Sequence, residues 1–562
     1  MKRIKSLIAL LLALSFTFVM VACNNTPVTD DDPQQQPQQT EQPQQTEQPG
    51  TEETPDPTAS ENEERYGGDF KIATSSISNT MDPHYSAGAQ ANLQWMQYIY
   101  ETAICMGADG QFYPLICDFE YSDDGLTLVL TVRDYYFSNG EKVTIDDVIA
   151  SYERAAAIGG SFATKVWDYV SDVKIEGDSA TLTFSEMNAV SLQEMADVRG
   201  PAWIMPKSII DKIGQEQLMD PADVIGTGCY TLNTYKPDSE IVLARNEDYV
   251  VTEFGGNGPA EARHAYFDTI TFCINTDSAS ITAGMIAGDY SLGGISTDMI
   301  PLAEEAGLVR KLLANEWTHA IFFNLSEQNA DSIVQDVNFR KAIRAAVDCE
   351  EAMIAALNGD AERILLEPTP ISTNNTKYYN EILKDPEVYN VNDLELAKQY
   401  LEASGYDGEE ITYLCSQGTA FYRIAMVVIP RLEEIGIKVN LWVVDGGSHG
   451  GLRSDPTAGH DIGAWETQKA VSNPLESTSL VVGSSAGWWE NEKKSELIRI
   501  MQTSLTGSDA SVQAYREFCE LVKEEVPYII FGTALSQTYT QPNVVVDYIG
   551  TYSYYWNSYF TD

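Results

Sequence analysis

Leu432-Glu433-Glu434-Ile435-Gly436-Ile437-Lys438-Val439-Asn440-Leu441-Trp442-Val443 reads as the end of a helix, a glycine cap and a strand. The same alternation recurs on both sides of it. Residues 393–403 read as a helix closed by Ser404-Gly405. Thr144 is a plausible N-cap for a helix opened by Ile145-Asp146-Asp147-Val148. Residues 70–74, 126–132 and 180–184 carry the β-rich patterns of strands. Residues 93–104, rich in aromatics, read as an amphipathic helix. Asp123-Asp124-Gly125 and Ser138-Asn139-Gly140 are turn signals, and Gly226 and Gly228 mark a tight backbone passage between strands. Strands interleaved with helices predict mixed α/β lobes. No repeat of solenoid period interrupts them.

Working toward the N-terminus, globular composition stops near Gly67. Upstream, residues 24–66 are mostly Gln, Pro, Thr and acidic residues, and Gln-Gln-Thr-Glu-Gln-Pro occurs in tandem at 38–43 and 44–49. So few apolar side chains cannot offset ordering entropy, so this segment is expected to be a disordered, extended spacer. Before it, Lys2, Arg3 and Lys5 precede sixteen uncharged residues, 7–22, the order of a secretory signal. The segment ends Met20-Val21-Ala22-Cys23, which resembles the bacterial lipoprotein signal. That resemblance implies residues 1–22 as signal peptide and Cys23 as the lipidated N-terminus. It ties the body to the outer side of a membrane through acyl chains.

Charge narrows the function. The 562 residues carry 83 acidic and 35 basic side chains, a formal net charge of -48. Such a surface repels phosphate backbones and anionic lipid headgroups, which excludes nucleic-acid binding and charge-driven membrane docking. Eight cysteines without a CxxC pair exclude a disulfide-built scaffold and a zinc ribbon. Apart from Cys23 they number seven, and those within apolar runs, such as Cys273, read as buried small hydrophobes. The five histidines lack HExxH spacing. His460-Asp461 spells a metal-phosphohydrolase dyad, but His84, His264, His319 and His449 do not supply the further ligands such a site needs. No P-loop occurs. The expectation is a protein that is not an enzyme and holds neither cofactor nor metal.

Several stretches, in order, resemble the family 5 solute-binding proteins of ABC importers, the group that includes oligopeptide- and dipeptide-binding lipoproteins. They are Gly67-Gly68-Asp69-Phe70-Lys71-Ile72-Ala73 with Met81-Asp82-Pro83-His84, then Ile99-Tyr100-Glu101, and then Ser122-Asp123-Asp124-Gly125-Leu126-Thr127. Phe137-Ser138-Asn139-Gly140, residues 144–154, Gly226-Thr227-Gly228-Cys229-Tyr230, Arg245-Asn246-Glu247-Asp248-Tyr249 and Arg340-Lys341-Ala342-Ile343 continue the match. Cys229 stands where the family usually has Pro. The likeness spans residues 67–562.

The resemblance implies a two-lobed, periplasmic-binding-protein-like α/β fold, class II and of the large three-part variety, with an interlobe cleft and a two-strand hinge. Lobe I would comprise 67–110, 225–312 and 530–562, an inserted subdomain 111–224, and lobe II 313–529. It also implies three sources of ligand contacts. The loop after the first strand offers Tyr85 and Trp95, the crossing strands offer Trp317 and His319, and a lobe II segment offers Trp465, Glu466 and Gln468. Peptide-binding relatives place an Asp three residues after that Trp to meet the ligand's ammonium. Gln468 stands at that spacing here, and Glu466 is the carboxylate that could replace it. The function implied is an extracytoplasmic, lipid-anchored monomer that captures a peptide or peptide-like solute and delivers it to an ABC permease. An oligosaccharide-binding member and a sensor lipoprotein are the alternatives.

Overall fold

The computed structural model describes residues 65–561 apart from 76, 78–79, 86–94, 198–201, 484–486 and 550–552. The signal-like segment, Cys23 and nearly all of the spacer lie outside the described residues.

Local chemistry sets the elements where the sequence signals them. Helix Ala420–Glu434 starts at Thr419, whose hydroxyl accepts from the Tyr422 amide. Gly436, at φ 101°, turns the chain into strand Lys438–Val444. Helix Ile145–Ile158 is opened by a reciprocal capping box between Thr144 and Asp147. Helix Leu394–Ser404 has Asp393 as N-cap and Gly405 in the left-handed region at its end.

One segment departs from expectation. Of the stretch expected as one helix, 93–104, the described residues 95–104 do not form one: Trp95 and Met96 are helical, a turn follows, and strand Ile104–Met106 begins at the far end. The carbonyls of Tyr98 and Ile99 instead accept from the amides of Tyr230 and Gly228, at 3.0 and 2.8 Å. That approach requires the two glycines. A Cβ on Gly226 would sit 2.0 Å from the Ile99 oxygen, and one on Gly228 2.2 Å from the Tyr98 oxygen. Tertiary hydrogen bonding overrides the local helical pattern.

The largest sheet is built around two long antiparallel strands, Val309–Phe323 and Tyr528–Thr540, whose register runs from Val309 opposite Thr540 to Phe322 opposite Tyr528. One end of this ribbon continues through Leu292–Gly293, Asp69–Thr74, Thr269–Ile274, Glu240–Arg245 and Tyr230–Lys236. The other continues through Ile462–Gln468, Glu410–Ser416 and Lys438–Val444. A separate four-stranded antiparallel sheet orders Cys117–Tyr121, Thr127–Val132, Ser179–Phe184 and Val170–Glu176.

Each group of strands has its own buried core. One gathers Phe323, Phe339, Tyr413, Trp465, Phe518 and neighbours between residues 320 and 534. A second joins Phe70, Trp95, Tyr98, Phe267 and Trp556. A third packs Tyr152 and Phe162 against Leu128, Leu130 and Leu182 of the four-stranded sheet.

Two buried ion pairs tie the second core to its surroundings. Arg154 grips both oxygens of Asp82, at 2.9 and 2.6 Å, and both side chains are almost fully buried. Burial pushes the Asp82 carboxyl up, but the Arg154 guanidinium outweighs it and holds Asp82 below the ordinary range. Arg154 also donates to His84 Nδ1 at 2.9 Å, so the proton of neutral His84 lies on Nε2, which donates to the Trp203 carbonyl at 3.0 Å. Burial lowers His84 to about 4. Glu101 and Arg263 form the second pair.

Six of the seven cysteines after Cys23 are buried, while Cys273 is only half-buried, because the strand bearing it faces partly outward. All seven are free thiols.

Candidate functional site

Strand Ile462–Gln468 pairs antiparallel with the outgoing long strand, and the register sets Trp317 opposite Gln468 and His319 opposite Glu466. Side chains alternate between faces along a strand, so these four share one face. Trp465, opposite Ala320, belongs to the other.

On the shared face lies a cavity of about 340 Å³. Trp317, His319 and Glu466 form part of its wall, and Ala534, Ser536 and Gln537 of the return strand continue it. Arg363 and Arg423 enter from the segments between strands. Thr297 and Ile300 close it from the stretch that precedes the outgoing strand.

His319 is 2% exposed, and its Nδ1 lies 3.2 Å from the Trp317 carbonyl. A carbonyl only accepts, so Nδ1 carries the proton and Nε2 is a bare acceptor. Burial lowers the His319 pKa to about 4; the Trp317 carbonyl opposes this, and the nearby Arg363 and Arg423 add to it. His319 is therefore neutral at neutral pH. Its Nε2 stands 3.7 Å from Glu466 Oε2. Two acceptors face each other there, with no donor between them among the described residues. Among the described residues Glu466 meets no lysine or arginine, and burial pushes its carboxyl above the ordinary range.

The opposite charge is also present. Arg363 donates through Nε to the Leu535 carbonyl at 2.7 Å, and its remaining N–H groups meet no partner among the described residues. Arg423 spends its donors on the carbonyls of Ala355 and Ala356, which end helix Cys349–Ala356, where positive charge is favourable. Gln537 Oε1 is buried and has no partner among the described residues. The cavity thus offers acceptors at one place and guanidinium donors at another.

Of the residues expected to touch a ligand, Trp317, His319 and Glu466 come together here. Gln468 lies beside them on the same face, half-buried, but does not border the cavity. The structure assigns two others to packing. Trp95 is 0% exposed, inside the second core, with its ring against Tyr235. Trp465 stacks on Phe322 at 4.0 Å, with Arg453 over its other side. Both face away from the cavity because burying a large ring is their main stabilisation. Tyr85 is elsewhere: its hydroxyl donates to the Gln215 carbonyl and its ring lies over Arg154. His460 is buried, and among the described residues no group of three metal-ligating side chains forms around it or elsewhere. Arg363, Arg423 and Gln537 were not singled out from sequence. Arginines in helix-rich segments resemble any surface arginine, and no local pattern marks Gln537 as cavity-facing.

The model of bacterial extracellular solute-binding proteins, family 5 Middle, matches residues 111–488. The chain belongs to this family. Its members bind solutes and are not enzymes. This family 5 chain is 22% identical over 432 residues to the oligopeptide-binding protein AppA of Bacillus subtilis, covering 72% of this chain and 75% of that one. Its fold is similar to the ABC transporter substrate-binding protein CtaP of Listeria monocytogenes, with TM-score 0.71 and 19% identity over 89% of this chain and all of the other. It also resembles DppA of Helicobacter pylori in complex with the peptide STSA, with TM-score 0.65, 17% identity, 90% of this chain and 100% of that one. The mixed α/β fold of class II binding proteins accounts for the observed sheet order.

Proposed function

We propose that this protein captures a short peptide or a peptide-like zwitterion in the Trp317–His319–Glu466 cavity and delivers it to an ABC permease. The observation that carries this is the pair of acceptors, His319 Nε2 and Glu466 Oε2, facing each other at 3.7 Å. An ammonium between them donates to both and neutralises a half-exposed carboxylate. The free N–H groups of Arg363 suit the carboxylate end. Trp317 supplies an apolar surface between. Relatives named as oligopeptide- and dipeptide-binding support the same class. The two long strands are the hinge, and ligand favours the closed population of the two strand groups. Acyl chains on Cys23 hold the monomer outside the membrane, and the acidic spacer sets its reach.

A second reading, an oligosaccharide, draws on Gln468 beside Trp317 and on the unpartnered Gln537 Oε1, which suit hydroxyl donors. Native mass spectrometry of the purified chain separates the two. A ladder of peptide masses released on denaturation is expected. A hexose-spaced ladder would overturn the peptide reading.

A further inference from the structure

A second cavity, of about 150 Å³, lies between the turn after Asp134 and the loop from Asn246 to Thr252. It shares no residue with the cavity described above. Liquid water occupies about 30 Å³ per molecule, so the space suits a ligand of a handful of non-hydrogen atoms.

Its walls are aromatic: Tyr135, Tyr136, Phe137 and Tyr249. The Tyr249 hydroxyl donates to Glu101 at 3.2 Å, and the Tyr135 and Tyr249 hydroxyls lie 3.5 Å apart. Their polar ends are thereby engaged, and the ring surfaces remain. Two carboxylates, Asp134 and Asp248, border the same space, and no lysine or arginine does. Asp134 is already held by Lys142 at 3.0 Å and by the Tyr136 hydroxyl at 3.3 Å. Asp248 is exposed and pairs with no lysine or arginine among the described residues. Deeper in, Thr227 is 1% exposed and its hydroxyl has no partner among the described residues. A buried hydroxyl is ordinarily matched, so this one points to a missing group.

We propose that this cavity is a second binding site, for a small hydroxyl-bearing organic ammonium of the choline class. Aromatic faces attract such a cation through their quadrupole, the Asp248 carboxylate supplies the counter-charge, and the Thr227 hydroxyl pairs with the ligand's own. Carboxylates at the border disfavour a phosphate next to the ammonium, so the ligand is a free solute and not a phospholipid headgroup.

Isothermal titration of the full chain with choline, tetramethylammonium and phosphocholine tests this. One saturable choline per chain is expected, with tetramethylammonium and phosphocholine each weaker. Asp248→Asn and Tyr136→Ala, both at exposed positions, should each weaken choline about tenfold while the circular dichroism stays unchanged. Thr227→Val should make choline and tetramethylammonium bind alike. Absence of saturable choline binding overturns the site. Unchanged affinity in either Asp248→Asn or Tyr136→Ala overturns it as well, and phosphocholine binding tighter than choline overturns the free-solute assignment.

Discussion

Replacing Glu466 with Gln keeps the shape and one acceptor but removes the charge. Truncating one partner of a close charge pair costs about 2–5 kcal/mol. The Glu466 side chain is 47% exposed, which places it at the low end because water screens part of the interaction. About 2 kcal/mol corresponds to a loss of about 30-fold in Kd. The assay is calorimetric titration with a short peptide and its N-acetylated form, on the native chain and on Glu466→Gln. The native chain should prefer the free amine by about 30-fold, and the variant should bind both forms alike. Acidification provides an independent check. A protonated Glu466 cannot hold an ammonium, so affinity falls as pH drops through its pKa. Burial has raised that pKa, so the fall begins above the ordinary carboxylate range. Glu466→Gln should stay flat until His319 protonates near pH 4. An unchanged preference for the free amine in Glu466→Gln would refute the assignment of the ammonium site.

Three further outcomes concern the scaffold. His84 and His319 titrate at about 4 in the fold against an ordinary value of 6.5, so the unfolded chain binds the extra protons. Their stabilisation is complete above pH 6.5 and is lost as pH falls from 6.5 to about 4, by about 3 kcal/mol each, readable as a falling urea midpoint that His84→Asn and His319→Asn flatten. Arg154→Met leaves the buried Asp82 uncompensated and should cost about 3–5 kcal/mol, with part recovered in the Asp82→Asn double variant. Gly226→Ala drives a Cβ to 2.0 Å from the Ile99 oxygen, so it should lower the melting temperature far more than Gly140→Ala, whose Cβ meets nothing within 4 Å.

How far sequence reasoning reached depends on the range of the interaction. Thr144, Gly405 and Gly436 act within one turn of themselves, so their caps were readable in the chain order. Residues 93–104 misled because the competing partners, Gly228 and Tyr230, lie more than a hundred positions away. Among the site residues, Trp317, His319 and Glu466 were named from motif position, yet nothing local said that Trp465 would turn its back on them. One residue of register decides that, since neighbours on a strand face opposite sides.

By itself the sequence determined the α/β alternation, the turns, the acidic character and the family, because these rest on short-range patterns and their order. Only the tertiary structure decided that His319 is neutral, that its bare nitrogen confronts Glu466, and that Arg363 completes the cavity. Those properties arise from burial and from antiparallel pairing between strands about 150 residues apart, and no local pattern encodes either.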